Sequence, residues 1–277
     1  MTLTNVISIS YGGSEADLPV SYQRRQCNEF MKLGLQGTSV VLASGDSGVA
    51  GPAGDGNADG CLGTGEIFSP GFPSTCSYIT TVGSTTLPAS ASVQNDAETA
   101  TTRFPSGGGF SNIYATPDYQ KTAVSNYLTN NPPPYPSYTT TDDAAIGAGG
   151  GIYNRGGRGY PDVSAVGDNI VVFNKVAPTL IGGTSASAPI FASLLNRINE
   201  ERIAAGKFTV GFVNPTLVRF PLLFPLTGFL THYSTHIPIY STISPLDPTL
   251  VAIPTVSQLL RVGTQSRVLE RPTTPLC

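Results

Sequence analysis

The sequence predicts an α/β fold with a mostly parallel central sheet and flanking helices. An apolar strand over 5–10 is followed by a helical pattern over about 21–35 and by a second apolar strand over 39–43. Strand, helix and strand at this spacing form a parallel crossover unit, which is right-handed by default. Ligands of such sheets bind at the carboxyl ends of the strands, so residues 11–12 and 45–46 are the first candidates for a site.

Further strands and a helix extend this pattern. The alternating, β-branched stretch 78–85 predicts a strand, and the apolar stretch 169–173 predicts the last core strand before the helix. The helix is predicted because apolar residues recur at helical spacing behind Pro189, which suits a first helical turn. These apolar residues are Ile190, Phe191, Leu194, Leu195 and Ile198.

Length and composition indicate a loop-rich globular protein. The 277 residues are enough for a substantial core, and 31 glycines, 23 prolines and a charged fraction of 12% argue against a coiled coil. A formal charge of −3 offers no basic surface for nucleic acid, and no apolar run reaches the ~20 residues of a membrane span. We therefore expect a monomer that binds neither nucleic acid nor membrane.

The start of the helix carries the candidate nucleophile. Two glycines, Gly182 and Gly183, lead into Thr184 and Ser185. A serine at a helix N-terminus lies beside free backbone N–H groups and the positive end of the helix dipole, which suits a nucleophile whose reaction builds up an oxyanion. An ordinary Ser/Thr N-cap explains the same residues equally well. The residues alone leave both interpretations open.

The stretch 183–189, Gly-Thr-Ser-Ala-Ser-Ala-Pro, resembles the nucleophile motif of the sedolisins. These are the serine-carboxyl peptidases that include the fungal tripeptidyl-peptidases. Subtilisins share the Gly-Thr-Ser opening but usually continue with Met-Ala and a proline. The resemblance implies a subtilisin-like α/β fold, a peptide or protein substrate, and Ser185 as the nucleophile.

A second motif, Ser-Gly-Asp-Ser-Gly at 44–48, also resembles the sedolisins and implies that Asp46 supplies the oxyanion hole. A carboxyl group can donate to a developing oxyanion only when it is protonated, which is the logic of a peptidase that works at acid pH. By itself the motif is more typical of a turn whose aspartate bonds the local backbone. Its occurrence together with the serine motif favours the catalytic interpretation.

A glycine-rich stretch at 106–111 resembles an active-site loop of the family. Three successive glycines permit close approach of an extended peptide, or form a flexible turn. With the end of the first strand, they make the predicted substrate-binding set: Ser10, Tyr11, Gly12, Gly107, Gly108 and Gly109. The stretch 160–165 resembles a further family element, in which Asp162 is predicted to be structural.

One departure from the family concerns the base. Sedolisins use a Glu-x-x-x-Asp pair on a helix that precedes the strand at 5–10, and residues four apart share a helix face. Glu15 and Asp17 lie two apart, so they would point to different sides of a helix, and they follow that strand. We therefore expect that the N-terminal catalytic part is missing and that this chain is inactive. The resemblance implies a secreted protein, although residues 1–6 show no signal peptide.

The second departure begins after Leu217. Family members continue into a loop that ligates calcium through oxygen atoms, whereas 218–277 contains only Gly228, Gly263, Asp247 and Glu270 as glycines and acids. These cannot supply the six or more ligands that calcium needs, so no metal or other cofactor is expected in this chain. We predict a partial peptidase domain over 1–217 and an aberrant, poorly ordered extension over 218–277, of the kind a shifted reading frame or retained intron produces.

Both histidines, His232 and His236, lie in this extension and follow Ser185. In a subtilisin-type triad the histidine precedes the serine, so the order argues against a Ser-His-Asp triad. A helical metal pair is also disfavoured, because Pro238 follows and no third ligand is evident.

The four cysteines leave the redox state open. Cys61 and Cys76 bracket a short Gly/Pro-rich loop, and a disulfide between them would stabilise by about 3 kcal/mol. Two unpaired thiols are the alternative. Cys27 falls in the helical pattern at 21–35 and is expected to pack in the core.

The sequence therefore predicts a serine-type peptidase of the sedolisin class, tripeptidyl-peptidase-like and acid-acting, but inactive as it stands. The alternative is a non-catalytic relic that binds peptides by adding them to a sheet edge near Ser10 and at residues 107–109. An esterase is not supported, because no Gly-x-Ser-x-Gly elbow occurs.

Overall fold

A parallel sheet of four strands organises the part of the chain that the computed structural model describes, which is residues 4–52, 60–91, 96 and 98–219. Its order is β1, β3, β5 and β11, and a short strand, β6, adds to β5 in antiparallel direction. The strands of this sheet are β1 (Val6–Ile9), β3 (Ser39–Ala43), β5 (Thr80–Thr86), β6 (Thr99–Ala100) and β11 (Val163–Val166). The predicted strand–helix–strand crossover is confirmed, because β1 and β3 pair in parallel from Val6↔Ser39 onwards.

Four helices and eight further short strands complete the described chain. The helices are α1 (Val20–Leu35), α2 (Lys121–Asn130), α3 (Thr184–Ala204) and α4 (Asn214–Arg219). The other strands are β2 (Gly13–Ser14), β4 (Gly71–Phe72), β7 (Gly109–Ala115), β8 (Ser137–Tyr138), β9 (Tyr153–Asn154), β10 (Gly157–Tyr160), β12 (Ile170–Asn174) and β13 (Ala177–Ile181). They pair as β2 with β4, β7 with β10, β8 with β9, and β12 with β13.

The central sheet is buried on both faces, which explains why β3 is a continuous apolar run. Successive side chains of a strand point to opposite faces. Val41 packs in a core with α3, whereas Val40 and Leu42 pack in a second core with α1 and with Ile113 of β7. The architecture is therefore a helix layer on each side of a parallel sheet, as the sequence predicted.

The predicted core strand at 169–173 is wrong in its placement. It corresponds to β12, which pairs only with β13 as an antiparallel hairpin outside the central sheet. Val171 and Phe173 are 58% and 72% exposed among the described residues. The core strand that precedes the nucleophile helix is β11 instead. An apolar composition predicts a strand, but it does not determine which sheet the strand joins.

The Cys61–Cys76 disulfide that the sequence offered as one of two alternatives does not form. Cys76 pairs with Cys27 of α1, with a Cα–Cα distance of 5.5 Å and a sequence separation of 49 residues. Cys27 does pack in the core as expected, at 2% exposure, but as half of this bridge. The pairing follows from the packing of α1 on the sheet, which proximity along the chain does not reveal. By loop-closure entropy such a bridge stabilises by about 4 kcal/mol.

The predicted extension at 218–277 lies outside the described residues, apart from Val218 and Arg219 in α4. Its predicted boundary at 217 therefore stays a prediction, as do the arguments about its histidines and its calcium ligands. Within the described ranges, none of the helices is both long and apolar enough to span a membrane.

Candidate active site

The candidate nucleophile, Ser185, is the second residue of α3 and is exposed. Gly183 precedes the helix with φ 145°, a conformation that favours glycine, and a Cβ at this position would lie 3.0 Å from Oδ2 of Asp46. Glycine is therefore required where the chain turns into the helix beside Asp46. The backbone N–H of Gly183 is fixed in turn, because it donates to the carbonyl of Gly167 at 2.8 Å.

Pro189 is the sixth residue of α3, so it does not lie in the first turn as predicted. A proline at this position has no N–H to offer the carbonyl four residues earlier, which belongs to Ser185. That carbonyl instead accepts a hydrogen bond from Oγ of Ser10 at 3.3 Å. The missing helical bond thus leaves a place where the carboxyl end of β1 joins the nucleophile turn.

Asp46 and Ser185 are brought together through Thr184, which lies between Gly183 and the nucleophile. Oδ1 of Asp46 accepts from the backbone N–H of Thr184 at 2.7 Å and from its hydroxyl at 2.8 Å. The same hydroxyl accepts from the N–H of Gly45 at 3.1 Å. Thr184 is 1% exposed, so these bonds are shielded from water. The Asp46 turn and the start of α3 therefore form one hydrogen-bonded unit.

The second carboxyl oxygen of Asp46 is available for chemistry. Oδ1 carries both bonds to Thr184, whereas Oδ2 bonds to no other described residue and the side chain is exposed. A proton on Oδ2 would make this carboxyl a donor beside the serine. This arrangement can stabilise an oxyanion that forms when Ser185 attacks a carbonyl group.

The glycine loop is placed differently from what the sequence suggested. Gly107, Gly108 and Gly109 are buried. The N–H of Gly107 donates to the carbonyl of Gly45 at 2.6 Å, and a Cβ on Gly107 would lie 2.3 Å from the carbonyl oxygen of Ser44. Two of the three glycines, Gly107 and Gly108, hydrogen-bond the backbone of residues 45–48 and so support the Asp46 turn. Contact between these glycines and a substrate stays a prediction.

The end of β1 lies at the open side of the site. Ser10, Tyr11 and Gly12 are exposed, with Tyr11 at 86%. Gly12 packs closely, because a Cβ there would lie 2.8 Å from the carbonyl oxygen of Phe72. Of the predicted substrate-binding residues, these three are the accessible ones, and Ser10 is the one tied to Ser185.

No base for Ser185 is found among the described residues, since none of them hydrogen-bonds the Ser185 hydroxyl. Glu15 and Asp17 share a single turn of 3₁₀-helix but point apart: Glu15 is 1% exposed, whereas Asp17 is exposed. The expectation that they point to different sides is confirmed, and the expectation that they form no catalytic pair stays a prediction. The described chain also holds no cluster of three or more His, Cys, Asp or Glu side chains placed to bind a metal.

Sequence reasoning missed Thr184 as a residue of the candidate site. Its position directly before the serine at a helix N-terminus was the available signal, because Ser and Thr hydroxyls there commonly bond backbone groups. Asp162, in contrast, was correctly assigned a structural part. Its carboxylate is buried and bonds Arg158 and the N–H of Thr81, at 2.6 and 2.8 Å.

Comparisons with known proteins identify relatives of this chain. The chain is 62% identical over 220 residues to tripeptidyl-peptidase sed1 of Aspergillus fumigatus and 56% identical over 227 residues to aorsin of Aspergillus oryzae. It is 38% identical over 218 residues to tripeptidyl-peptidase 1 of Homo sapiens. The matches cover 79%, 79% and 78% of this chain but 34% of each relative, so the chain spans about a third of their length. No protein-family model matches the chain.

Among solved structures, Pseudomonas sedolisin, a serine-carboxyl proteinase complexed with pseudo-iodotyrostatin, matches with a TM-score of 0.55. The match covers 79% of this chain and 54% of that chain at 22% identity, so it bears on the fold alone. It confirms the subtilisin-like α/β architecture. By this fold and by its similarity to the tripeptidyl-peptidases and aorsin, the chain belongs to the sedolisin family of serine-carboxyl peptidases.

Proposed function

We propose that this chain carries the nucleophile and the oxyanion site of a tripeptidyl-peptidase-like enzyme that cleaves peptides at acid pH. The Ser185 hydroxyl attacks the peptide carbonyl, and protonated Asp46 donates a hydrogen bond to the oxygen that becomes negative. A base takes the serine proton and later returns it to the leaving amine. That base is not among the described residues.

One observation carries this proposal: Thr184 binds both sides of the site. Its N–H and hydroxyl fix Oδ1 of Asp46, and its peptide bond continues directly into Ser185. The carboxyl and the nucleophile therefore keep a fixed spacing without a substrate. Preorganised donors of this kind are the largest single contribution to many rate enhancements.

Activity is expected to be highest at acid pH, because Asp46 must be uncharged to donate a hydrogen bond. An ionised carboxylate would repel the developing oxyanion, whereas a protonated carboxyl donates to it. A secreted protein is supported independently by the Cys27–Cys76 bridge, because disulfides persist in oxidising compartments.

We propose further that the described residues alone turn over little or no peptide. Removing a member of a serine triad leaves only a residual catalysis of about 10³–10⁴-fold over water. Ser185 is exposed and has no base beside it among the described residues. This favours a second candidate function, which is peptide binding without hydrolysis. In that case a peptide would add along the free edge of β1, which pairs only with β3 among the described strands.

The test compares the wild type with Ser185→Ala, using a fluorogenic tripeptide and a peptidyl aldehyde at pH 4 and pH 7. Ser193→Ala is the matched control, because Ser193 lies on the exposed side of the same helix with its hydroxyl bonded to the carbonyl of Pro189. We expect no turnover, but aldehyde binding at pH 4 that Ser185→Ala weakens at least 10-fold, because a hemiacetal needs the hydroxyl.

Each outcome separates the alternatives. Serine-dependent turnover at pH 4 supports the peptidase but overturns the proposed inactivity. Equal binding of the aldehyde by wild type and Ser185→Ala, without turnover, supports the peptide-binding relic. No binding by folded protein contradicts both.

A further inference from the structure

Glu15 is a buried carboxyl group that the proposed chemistry does not use. It begins the 3₁₀ turn Glu15–Asp17, five residues after Ser10 at the end of β1, and is 1% exposed. Its backbone is held on both sides, because its N–H donates to the carbonyl of Pro70 at 2.8 Å and its carbonyl accepts from Nε2 of Gln23 at 2.7 Å. Its side chain is therefore fixed in the interior and cannot swing out to water without moving this turn.

The carboxyl group of Glu15 ties this turn to β7. Oε1 accepts from the hydroxyl of Ser111, and Oε2 accepts from the N–H of Asn112 at 2.8 Å. The Ser111 hydroxyl is itself a hub, since it accepts from the N–H groups of Ile113 and Tyr114 at 3.0 and 2.8 Å. The Ser111 hydroxyl thus accepts two hydrogen bonds and donates one, to Glu15.

The two stretches that Glu15 joins are the ones that border the site. Upstream of it lie Ser10, which bonds the Ser185 carbonyl, and the exposed residues 11–12. β7 begins at Gly109 and continues from Gly107, which supports the Asp46 turn. The Glu15 carboxyl therefore sets the spacing between the β1 end and the glycine loop.

No cation among the described residues neutralises this carboxyl. None of the ion pairs among the described residues includes Glu15. The titratable groups that face it are acids or phenols, one from each neighbouring element: Asp143, Tyr114, Tyr138 and Tyr160. Two bases act on these phenols: Arg24 stacks over Tyr114 and pairs with Asp142, and Arg158 acts on Tyr160 and pairs with Asp162.

Burial raises the pKa of Glu15 from 4.5 to about 7, and the Ser111, Thr75 and Asn112 donors oppose this only in part. The buried hydroxyl of Thr75 lies beside the carboxyl and has no other hydrogen-bond partner among the described residues. None of these three donors carries a positive charge, so ionisation leaves a buried charge that no described counter-charge neutralises, and this cost favours the protonated acid.

We propose that Glu15 is a positioning residue that holds the substrate-bordering stretches together in its neutral form and loosens them as it ionises. The proposal rests on the proposed function, in which those stretches border the bound peptide. It adds a second acid requirement to the site, separate from that of Asp46. The enzyme would thus lose the geometry of its binding edge, as well as its oxyanion donor, on leaving an acidic compartment.

The sign of the pH effect follows from linkage. The folded state holds the Glu15 proton more tightly than the unfolded state, so between about pH 4.5 and 7 folding takes up protons. The stabilisation is complete below pH 4.5 and is lost as the pH rises through about 7. In the wild type we expect ionisation of this single group to lower the melting temperature by about 10 °C across that window.

The test follows thermal unfolding of the full chain from pH 4 to pH 8 in wild type, Glu15→Gln and Asp17→Asn. Asp17 is the matched control, because it is an exposed carboxyl in the same 3₁₀ turn. Between pH 4.5 and 7.5 the melting temperature of Glu15→Gln should rise by about 10 °C relative to that of the wild type. The melting temperature of Asp17→Asn should follow the same pH dependence as that of the wild type. Parallel curves for Glu15→Gln would overturn the proposal.

Two further measurements test the positioning directly, and the first needs only the wild type, so it also applies if Glu15→Gln fails to fold. In the wild type, ¹³C-labelled Glu15 should titrate near pH 7, and titration below pH 5 contradicts the proposal. Hydrogen exchange should show the protection of the Asn112 N–H falling on the order of 100-fold from pH 4.5 to 7.5 in wild type but not in Glu15→Gln. None of these readouts uses Ser185, so they stand or fall separately from the proposed function.

Discussion

Two carboxyl groups are buried to the same extent in this protein but in opposite electrostatic settings. The side chain of Asp162 is 1% exposed and pairs with Arg158, which is fully buried, at 2.6 Å. Glu15 is buried equally well but faces only hydroxyls, an N–H group and further acids. Burial alone therefore does not decide the state of a carboxyl group; the partner does.

Burial raises the pKa of both carboxyls, but only Asp162 has a cation that opposes this shift. Desolvation raises the pKa of Asp162, and the Arg158 guanidinium and the Thr81 N–H offset it in part; desolvation lowers the pKa of Arg158, but Asp162 raises it by more. Arg158 also donates to the carbonyls of Gly159 and Ile79, whereas its Nε has no hydrogen-bond partner among the described residues. Asp162 thus secures a structural junction, whereas Glu15 remains sensitive to pH.

The largest expected effect comes from breaking the buried ion pair between Asp162 and Arg158. Asp162→Asn leaves Arg158 buried without its counter-charge, and we expect a loss of about 3–5 kcal/mol in the free energy of unfolding at every pH. Urea denaturation at pH 4 and pH 7 measures it. Asp118→Asn, which removes an exposed ion pair with Lys121, is the control and should change little. A loss at Asp162 no greater than that of the control would remove the contrast between the two carboxyls.

Removing the Cys27–Cys76 bridge tests whether this disulfide keeps water away from the buried Glu15 carboxyl, whose surroundings are called the Glu15 pocket. Cys76 follows Thr75, which lies beside the Glu15 carboxyl, so the bridge anchors α1 against this pocket. Cys27→Ala/Cys76→Ala should cost about 2–5 kcal/mol in urea denaturation. Water entry should also bring the titration of ¹³C-labelled Glu15 down from about 7 towards 4.5. An unchanged titration in the destabilised variant would show that the bridge does not protect the pocket.

The smallest expected effect comes from Ser111→Ala, which removes one donor from the unpaired carboxyl. The variant should lose about 1–3 kcal/mol, because the N–H groups of Ile113 and Tyr114 also lose their acceptor. Since the Ser111 hydrogen bond lowers the pKa of Glu15, its loss raises that pKa further. The destabilisation should therefore be larger at pH 7.5 than at pH 4.5, and a pH-independent loss would argue against coupling between the two side chains.

Much of the site was predictable because its signals are local. The apolar run of β3, the helical spacing in α1 and α3, and the motifs around Asp46 and Ser185 each lie within a few successive residues. Local periodicity reports which face of an element is buried, and the motifs place the nucleophile at a helix start. The link through Thr184 could not be derived, because its two partners, Gly45 and Asp46, lie almost 140 residues away.

The sequence by itself determined the fold class, the family and the positions of the two candidate turns, around Ser185 and Asp46. Tertiary structure alone decided that Cys27 pairs with Cys76, that β12 leaves the central sheet, and that Glu15 is buried while Asp17 is not. The physical reason is common to all three. Each outcome depends on which distant surfaces pack together, and the free energy of that packing is a property of the assembled core and not of any short stretch of chain.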